Sequence, residues 1–187
     1  MNIKSLIDSA KFSHSEQVAK ISVILAGHAG YSKAEIEIIE QAALFHDVGK
    51  AGIPKDILNA PRALTADEFE IVKKHTGIGS DMIMEAAQAL YTAAIVAKHH
   101  HEWIHDGSKG YIGLEGEEIH PYSRIISVCD VYDALISKRV YKAAFDEKTV
   151  CEYMRSQSGK QFDSDIVRLL LLHIDEISAI YIKEGRK

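Results

Sequence analysis

Histidines in this chain fall where the apolar pattern turns toward an interior. His14 stands four residues before Val18, His46 three after Ala43, and His101 four after Ala97. Helical steps of three and four therefore put each imidazole on the face that carries an apolar stripe. One such histidine is usually a neutral, hydrogen-bonded core residue. Three on separate converging faces suggest a shared task. Asp47 adjoins His46, and Asp130 lies inside an otherwise apolar run from Ile125 to Val131. A carboxylate there is costly unless it is paired or metal-bound. Imidazole and carboxylate without thiolate suit zinc, iron or manganese, and a ligand set larger than four points to two metals rather than a closed structural zinc. Two ions about 3.5–4 Å apart could clamp the attacking and leaving oxygens of a phosphoester.

The elements that must hold these residues read as helices. Capping boxes announce three starts, at Ser13/Glu16, Ser32/Glu35 and Thr65/Glu68. Stripes follow at Val18, Ile21 and Leu25, at Ile36, Ile39 and Ala43, and at Leu90, Ala94 and Ala97. Further helical patterns run from Tyr122 to Ser137 and from Ser164 to Ile182, the latter with Asp163 as N-cap. No comparable run alternates with period two, so the expectation is an all-α fold. Irregular segments concentrate in 49–64 and 102–121, and the second is long enough to be a functional loop. No repeat, charge block or linker divides 1–187, which reads as one domain.

Composition narrows the classes. The chain has 187 residues, 47% of them hydrophobic, and 22 basic against 27 acidic residues give a formal charge of −5. A chain of this size needs no metal merely to fold. Mild acidity argues against a general DNA binder. Cys129 and Cys151 make no disulfide framework and read as core or near-core thiols of a reducing compartment. No apolar run is long enough to span a bilayer, and the N-terminal residues lack a signal peptide's apolar stretch, so the expectation is a cytoplasmic protein.

The run His46-Asp47-Val48-Gly49-Lys50 resembles the HDxGK signature of the HD superfamily of metal-dependent phosphohydrolases. Further matches follow in order: Gly52-Ile53-Pro54-Lys55, His75-Thr76-Gly77-Ile78-Gly79, His100-His101-Glu102, Asp106-Gly107-Ser108, Asp130-Val131-Tyr132-Asp133, and Gly159 with Phe162-Asp163. Together they resemble the HD-GYP subfamily over most of the chain. The resemblance implies an HD-type helical bundle that hydrolyses cyclic di-GMP to linear pGpG or GMP at a binuclear centre carrying a bridging hydroxide. It implies His14, His46, Asp47 and Asp130 as ligands of one divalent ion. Asp47 as a bridge, with His75, His100 and His101, would hold the second. Iron or manganese is expected ahead of zinc, nickel or magnesium. Some members hold a third metal through an acidic residue that is Ala10 here, which favours two. Asp47 and Lys50 are the implied catalytic residues, and Arg139 and Lys142 match positions that grip the substrate's phosphates. Read from the sequence alone, Lys50 has a solvated lysine in a turn as its lesser alternative, Arg139 and Lys142 could equally be a solvated helix end, and His75 is a cap or surface residue.

Two departures stand out. The signature tripeptide is Gly110-Tyr111-Ile112 rather than Gly-Tyr-Pro, and one residue is inserted between Glu102 and Asp106. Losing the proline removes a fixed φ from the loop, which bears on its rigidity, on specificity, and on a contact to diguanylate cyclases that the family implies for 102–121. Glu102 reads as an acceptor for the histidine pair, and Trp103 and Tyr111 as aromatic faces for guanine or as packing anchors. His28 reads as core, while His105 and His120 could approach substrate. Two alternatives to cyclic di-GMP remain: an HD phosphohydrolase for another cyclic or simple nucleotide, and a non-catalytic binding or interaction module. Oligomeric state is not legible.

Overall fold

A computed structural model describes residues 13–137 and 145–183. Ten α-helices and short 3-10 turns make up the described residues, with no strand among them, as the apolar period predicts. Helix α1 (Ser13–His28) and α2 (Lys33–Phe45) form an antiparallel pair. A 3-10 turn (Val48–Gly52) and the short α3 (Lys55–Leu58) lead to α4 (Ala66–Lys73), α5 (His75–Ala86) and α6 (Tyr91–His99). After the long loop come α7 (Pro121–Ile136), α8 (Glu147–Gln157), α9 (Ser164–Leu172) and α10 (Ile174–Lys183).

Packing follows the stripes. Helix α1 lies against α2 and α7, α2 against α6, and α5 against both α6 and the turn at Val48–Gly52. Val18, Ile21, Leu25, Ile39 and Ala43 are wholly buried, and burying a large aliphatic side chain of this kind stabilises by about 1.5–3 kcal/mol. The Ser32/Glu35 and Thr65/Glu68 boxes form with both reciprocal bonds, while the side chain of Ser13 lies outside the described residues. Among the described residues no helix is long and apolar enough to cross a membrane.

One expected helix is two. The pattern from Ser164 breaks at His173, whose φ of −110° and ψ of 24° leave the helical region. Asp163 caps the first half through the amides of Asp165 and Ile166, and the break lets Ile177 and Tyr181 of α10 turn into the core. The ring of His173 instead stacks on His28 at 3.4 Å. His28 is thus exposed rather than core, with its Nε2 hydrogen-bonded to Glu176 at 2.8 Å: it lies at the end of α1, one step past the buried stripe.

Candidate metal centre

Three histidines of the centre share one local device. His46 and His100 follow α2 and α6 directly, and His75 begins α5 just after α4 ends. Carbonyls in a helix's last turn have no intrahelical partner. Each imidazole takes one by donating its Nδ1–H three residues back: His46 to Ala43 at 2.6 Å, His75 to Val72 at 2.7 Å, and His100 to Ala97 at 2.9 Å. A proton held on Nδ1 leaves the Nε2 lone pair free, the form in which histidine binds a metal. Three helix C-termini, each negative at its end, also aim at this spot, which favours a cation.

The free Nε2 atoms converge on Asp47. Its Oδ2 lies 3.4 Å from His46 Nε2 and 4.0 Å from His14 Nε2, while its Oδ1 lies 3.3 Å from His75 Nε2 and 3.8 Å from His100 Nε2. Two groups result, His14 with His46 and Asp130, and Asp47 with His75, His100 and His101; within each, the candidate ligand atoms lie within 4.8 Å of one another. Every candidate ligand expected from the sequence is therefore in one place. The fit to metal is carried by orphaned atoms: Nε2 of His46, His75 and His100 and Oδ1 of Asp47 are buried with no hydrogen-bond partner. Such groups are costly unless something binds them.

Electrostatics at His100, His101, Asp47 and Asp130 agree with that reading. Burial, joined by neighbouring imidazoles, pushes His100 well below the ordinary histidine value and His101 down to about 4, so both stay neutral donors. Burial alone would raise Asp47, but His46 and Lys50 override it and hold the carboxyl well below the ordinary range. Asp130 is also lowered: burial would raise it, but the hydrogen bond from His14 and the neighbouring imidazoles together override that. His14 goes the other way, up to about 9, because Asp130 and Asp133 override the effect of burial.

The HDxGK glycine has a steric reason. A Cβ on Gly49 would lie 1.9 Å from the His75 carbonyl oxygen and 2.4 Å from the Gly79 nitrogen. Only glycine lets the turn carrying Asp47 and Lys50 meet α5, and that approach brings Asp47 to His75. Lys50 pairs with Asp47 Oδ2 and is one-third exposed. Arg139 and Lys142 lie outside the described residues, as does Ala10.

Two roles escaped the sequence. Asp133, one helical step from Asp130, accepts the Nδ1–H of His14 at 2.5 Å and the Tyr181 hydroxyl at 2.8 Å; its i+3 spacing from Asp130 was the available signal. Glu102 does not serve the histidine pair. Its carboxylate accepts four amides of the signature loop, Oε1 from Tyr111 and Ile112 at 2.7 and 2.9 Å, Oε2 from Gly113 and Leu114 at 2.8 and 2.9 Å. Tyr111 is thereby held 4.6 Å from the His101 ring. Trp103 packs under the Lys109 ammonium, 5.0 Å from its ring, and lines a separate cavity with His105. His120 caps α7, accepting from the Tyr122 amide at 3.2 Å.

Comparison with known proteins matches residues 2–166 to the model of the HD domain family. Over 157 residues the chain is 38% identical to the cyclic di-GMP phosphodiesterase response regulator RpfG of Xanthomonas campestris, covering 83% of this chain and 41% of that protein. It is 37% identical to the 3′3′-cGAMP-specific phosphodiesterase 2 of Vibrio cholerae, covering 89% of this chain and 32% of that one. The chain thus spans from about a third to about two-fifths of the length of these relatives. Among solved structures, Bd1817 of Bdellovibrio bacteriovorus, an HDG"Y"P protein, superposes with a TM-score of 0.67 at 20% identity, over 84% of this chain and 50% of that one, a likeness of fold. Family model, relatives and motif order agree that the chain belongs to the HD domain family, in its HD-GYP subfamily.

Proposed function

We propose that the chain is a metal-dependent phosphodiesterase that hydrolyses a cyclic dinucleotide, cyclic di-GMP, to linear pGpG or GMP, and that 1–187 acts as one phosphohydrolase domain. The observation that carries this reading is Asp47 with one oxygen facing each histidine group and three Nε2 atoms around it left without partners. His14, His46, Asp47 and Asp130 would hold one divalent ion, and Asp47, His75, His100 and His101 the other, with iron or manganese suited to such imidazole and carboxylate sets. When bound, such a pair supplies Lewis acidity, lowering the pKa of water and neutralising phosphoryl oxygens.

The chain's own residues supply the rest. Lys50, beside Asp47, would neutralise charge developing on the nonbridging oxygens. Arg139 and Lys142 would grip the phosphates, Arg as a planar fork and Lys as a point charge. Glu102 keeps the loop closed over the histidines by its four amide bonds. The leaving 3′-oxygen takes its proton from water. A diguanylate cyclase, which makes the substrate, is the partner this reading assigns to 102–121, where Ile112 is 46% exposed.

The relatives' two substrates, cyclic di-GMP and 3′3′-cGAMP, keep a hybrid dinucleotide as the second reading. Protein purified without oxygen and supplied with Fe(II) or Mn(II) should cleave one or both, seen as linear product by chromatography. Metal-loaded protein that binds these nucleotides but cleaves neither would overturn the enzymatic reading.

A further inference from the structure

Among the described residues, one further set of ligand-type side chains has no place in the mechanism above: His28, His173 and Glu176, whose ligand atoms lie within 4.8 Å of one another. It shares no residue with the groups around Asp47. His14 stands near the start of α1 and His28 at its end, so about 21 Å of helix, at 1.5 Å per residue, separates the two places. The three side chains come from three segments: the last residue of α1, the break between α9 and α10, and the first turn of α10. Nothing local brings His28 to Glu176, 148 residues on, where its Nε2 meets the carboxylate at 2.8 Å.

The two imidazoles approach more closely than free rings do. Aromatic pairs avoid a face-to-face sandwich and keep their centroids about 4.5–7 Å apart, whereas His28 and His173 lie 3.4 Å apart with planes 7° from parallel. Backbone holds both in place: the Ala29 amide bonds to the Leu25 carbonyl beside His28, and the His173 amide and carbonyl are taken by Leu169 and Ile177 at 3.0 and 3.1 Å. The surroundings favour a cation. His28 sits at the negative end of the α1 dipole, and Asp175, next to Glu176 in the chain, adds a second carboxylate to the first turn of α10.

We infer that His28, His173 and Glu176 form a surface site for one zinc-class divalent ion, separate from the candidate metal centre. Two imidazoles and one carboxylate leave the fourth position to water. Parallel planes hold the two rings' lone pairs edgewise, so seating the ion turns a ring about its Cβ–Cγ bond, a broad torsion in histidine. Zinc, with no geometric preference from d electrons, suits a site that adjusts in this way. The hydrogen bond between His28 and Glu176 is exchanged for a bond from each to the ion. Its role is a staple. The ion ties the end of α1 to the α9–α10 junction, while Tyr181 of α10 reaches Asp133, the partner of His14 near the start of α1. His28 and Glu176 are exposed, so the site exchanges its ion with solvent and fills when zinc is supplied.

Equilibrium dialysis against zinc, followed by elemental analysis, compares wild type with His28→Ala and His173→Ala, changes on two different segments and at no ligand of the centre. Zinc entering the centre counts equally in all three proteins, so the difference isolates the surface site whether or not the centre cleaves a cyclic dinucleotide. Each variant should hold one ion fewer than wild type. Zinc at about a hundredfold above the dissociation constant should raise Tm about 5–10 °C further in wild type than in either variant, and should shift the imidazole nitrogen resonances of His28 and His173 in wild type. Equal zinc content in wild type and both variants overturns the site and leaves a stacked histidine pair bonded to Glu176. An ion lost from His173→Ala but kept by His28→Ala also overturns it, since that loss belongs to the helix break rather than to shared ligands.

Discussion

His14 and Asp133, 119 residues apart, meet at 2.5 Å, and the bond sets which nitrogen of His14 faces the metal groups. With Nδ1 engaged there, Nε2 points to Asp130 at 2.9 Å. Asp133 is itself held by the Tyr181 hydroxyl and by Ser137, so α1, α7 and α10 are tied together behind the centre. Asp133→Asn keeps the shape and removes the charge. Metal affinity should fall about 10–100-fold, the usual cost of losing such an outer partner, measured by competition with a chelator. Unaltered affinity would mean that His14 is oriented by packing alone.

Gly49→Ala should destabilise without removing any polar group. The new methyl would sit 1.9 Å from the His75 carbonyl oxygen, backbone that cannot swing away. Overpacking of this kind costs about 1–3 kcal/mol, and 2 kcal/mol lowers Tm by about 4–8 °C in a chain of this length. Calorimetry would detect it. A Tm equal to wild type would contradict the close approach.

Glu102→Gln should loosen the signature loop selectively. The amide presents N–H where an oxygen had accepted two backbone amides, so two of four bonds are lost. Hydrogen exchange should speed at Tyr111, Ile112, Gly113 and Leu114 while α1 and α7 keep their protection. Uniform acceleration across the chain would show global destabilisation instead.

That loop also marks the limit of what was legible. The missing proline reads in the sequence as a loss of stiffness, yet the Ile112 amide makes a bond to Glu102 at 2.9 Å that proline, having no N–H, cannot make. Such compensation depends on the loop's path and leaves no local signal. The helices were legible because burial and period coincide in α1, α2 and α6, and the capping boxes at Ser32 and Thr65 are local chemistry. The break at His173 was not, because the apolar period continues through it and only tertiary packing rewards the turn. At the centre, His14, His46 and His101 were legible from helical spacing, whereas the grouping with His75, His100 and a shared Asp47 came from the family resemblance. The carbonyls of Ala43, Val72 and Ala97 belong to the backbone and carry no sequence mark.

The central claim is that Asp47 serves both histidine groups at once. Metal content of protein purified without oxygen, measured by elemental analysis for wild type and Asp47→Ala, tests it most directly. The account predicts about two ions per chain in wild type and a loss from both sites in Asp47→Ala, as expected when two pockets share one bridging ligand. Wild type holding a single ion, or Asp47→Ala retaining two, would contradict it.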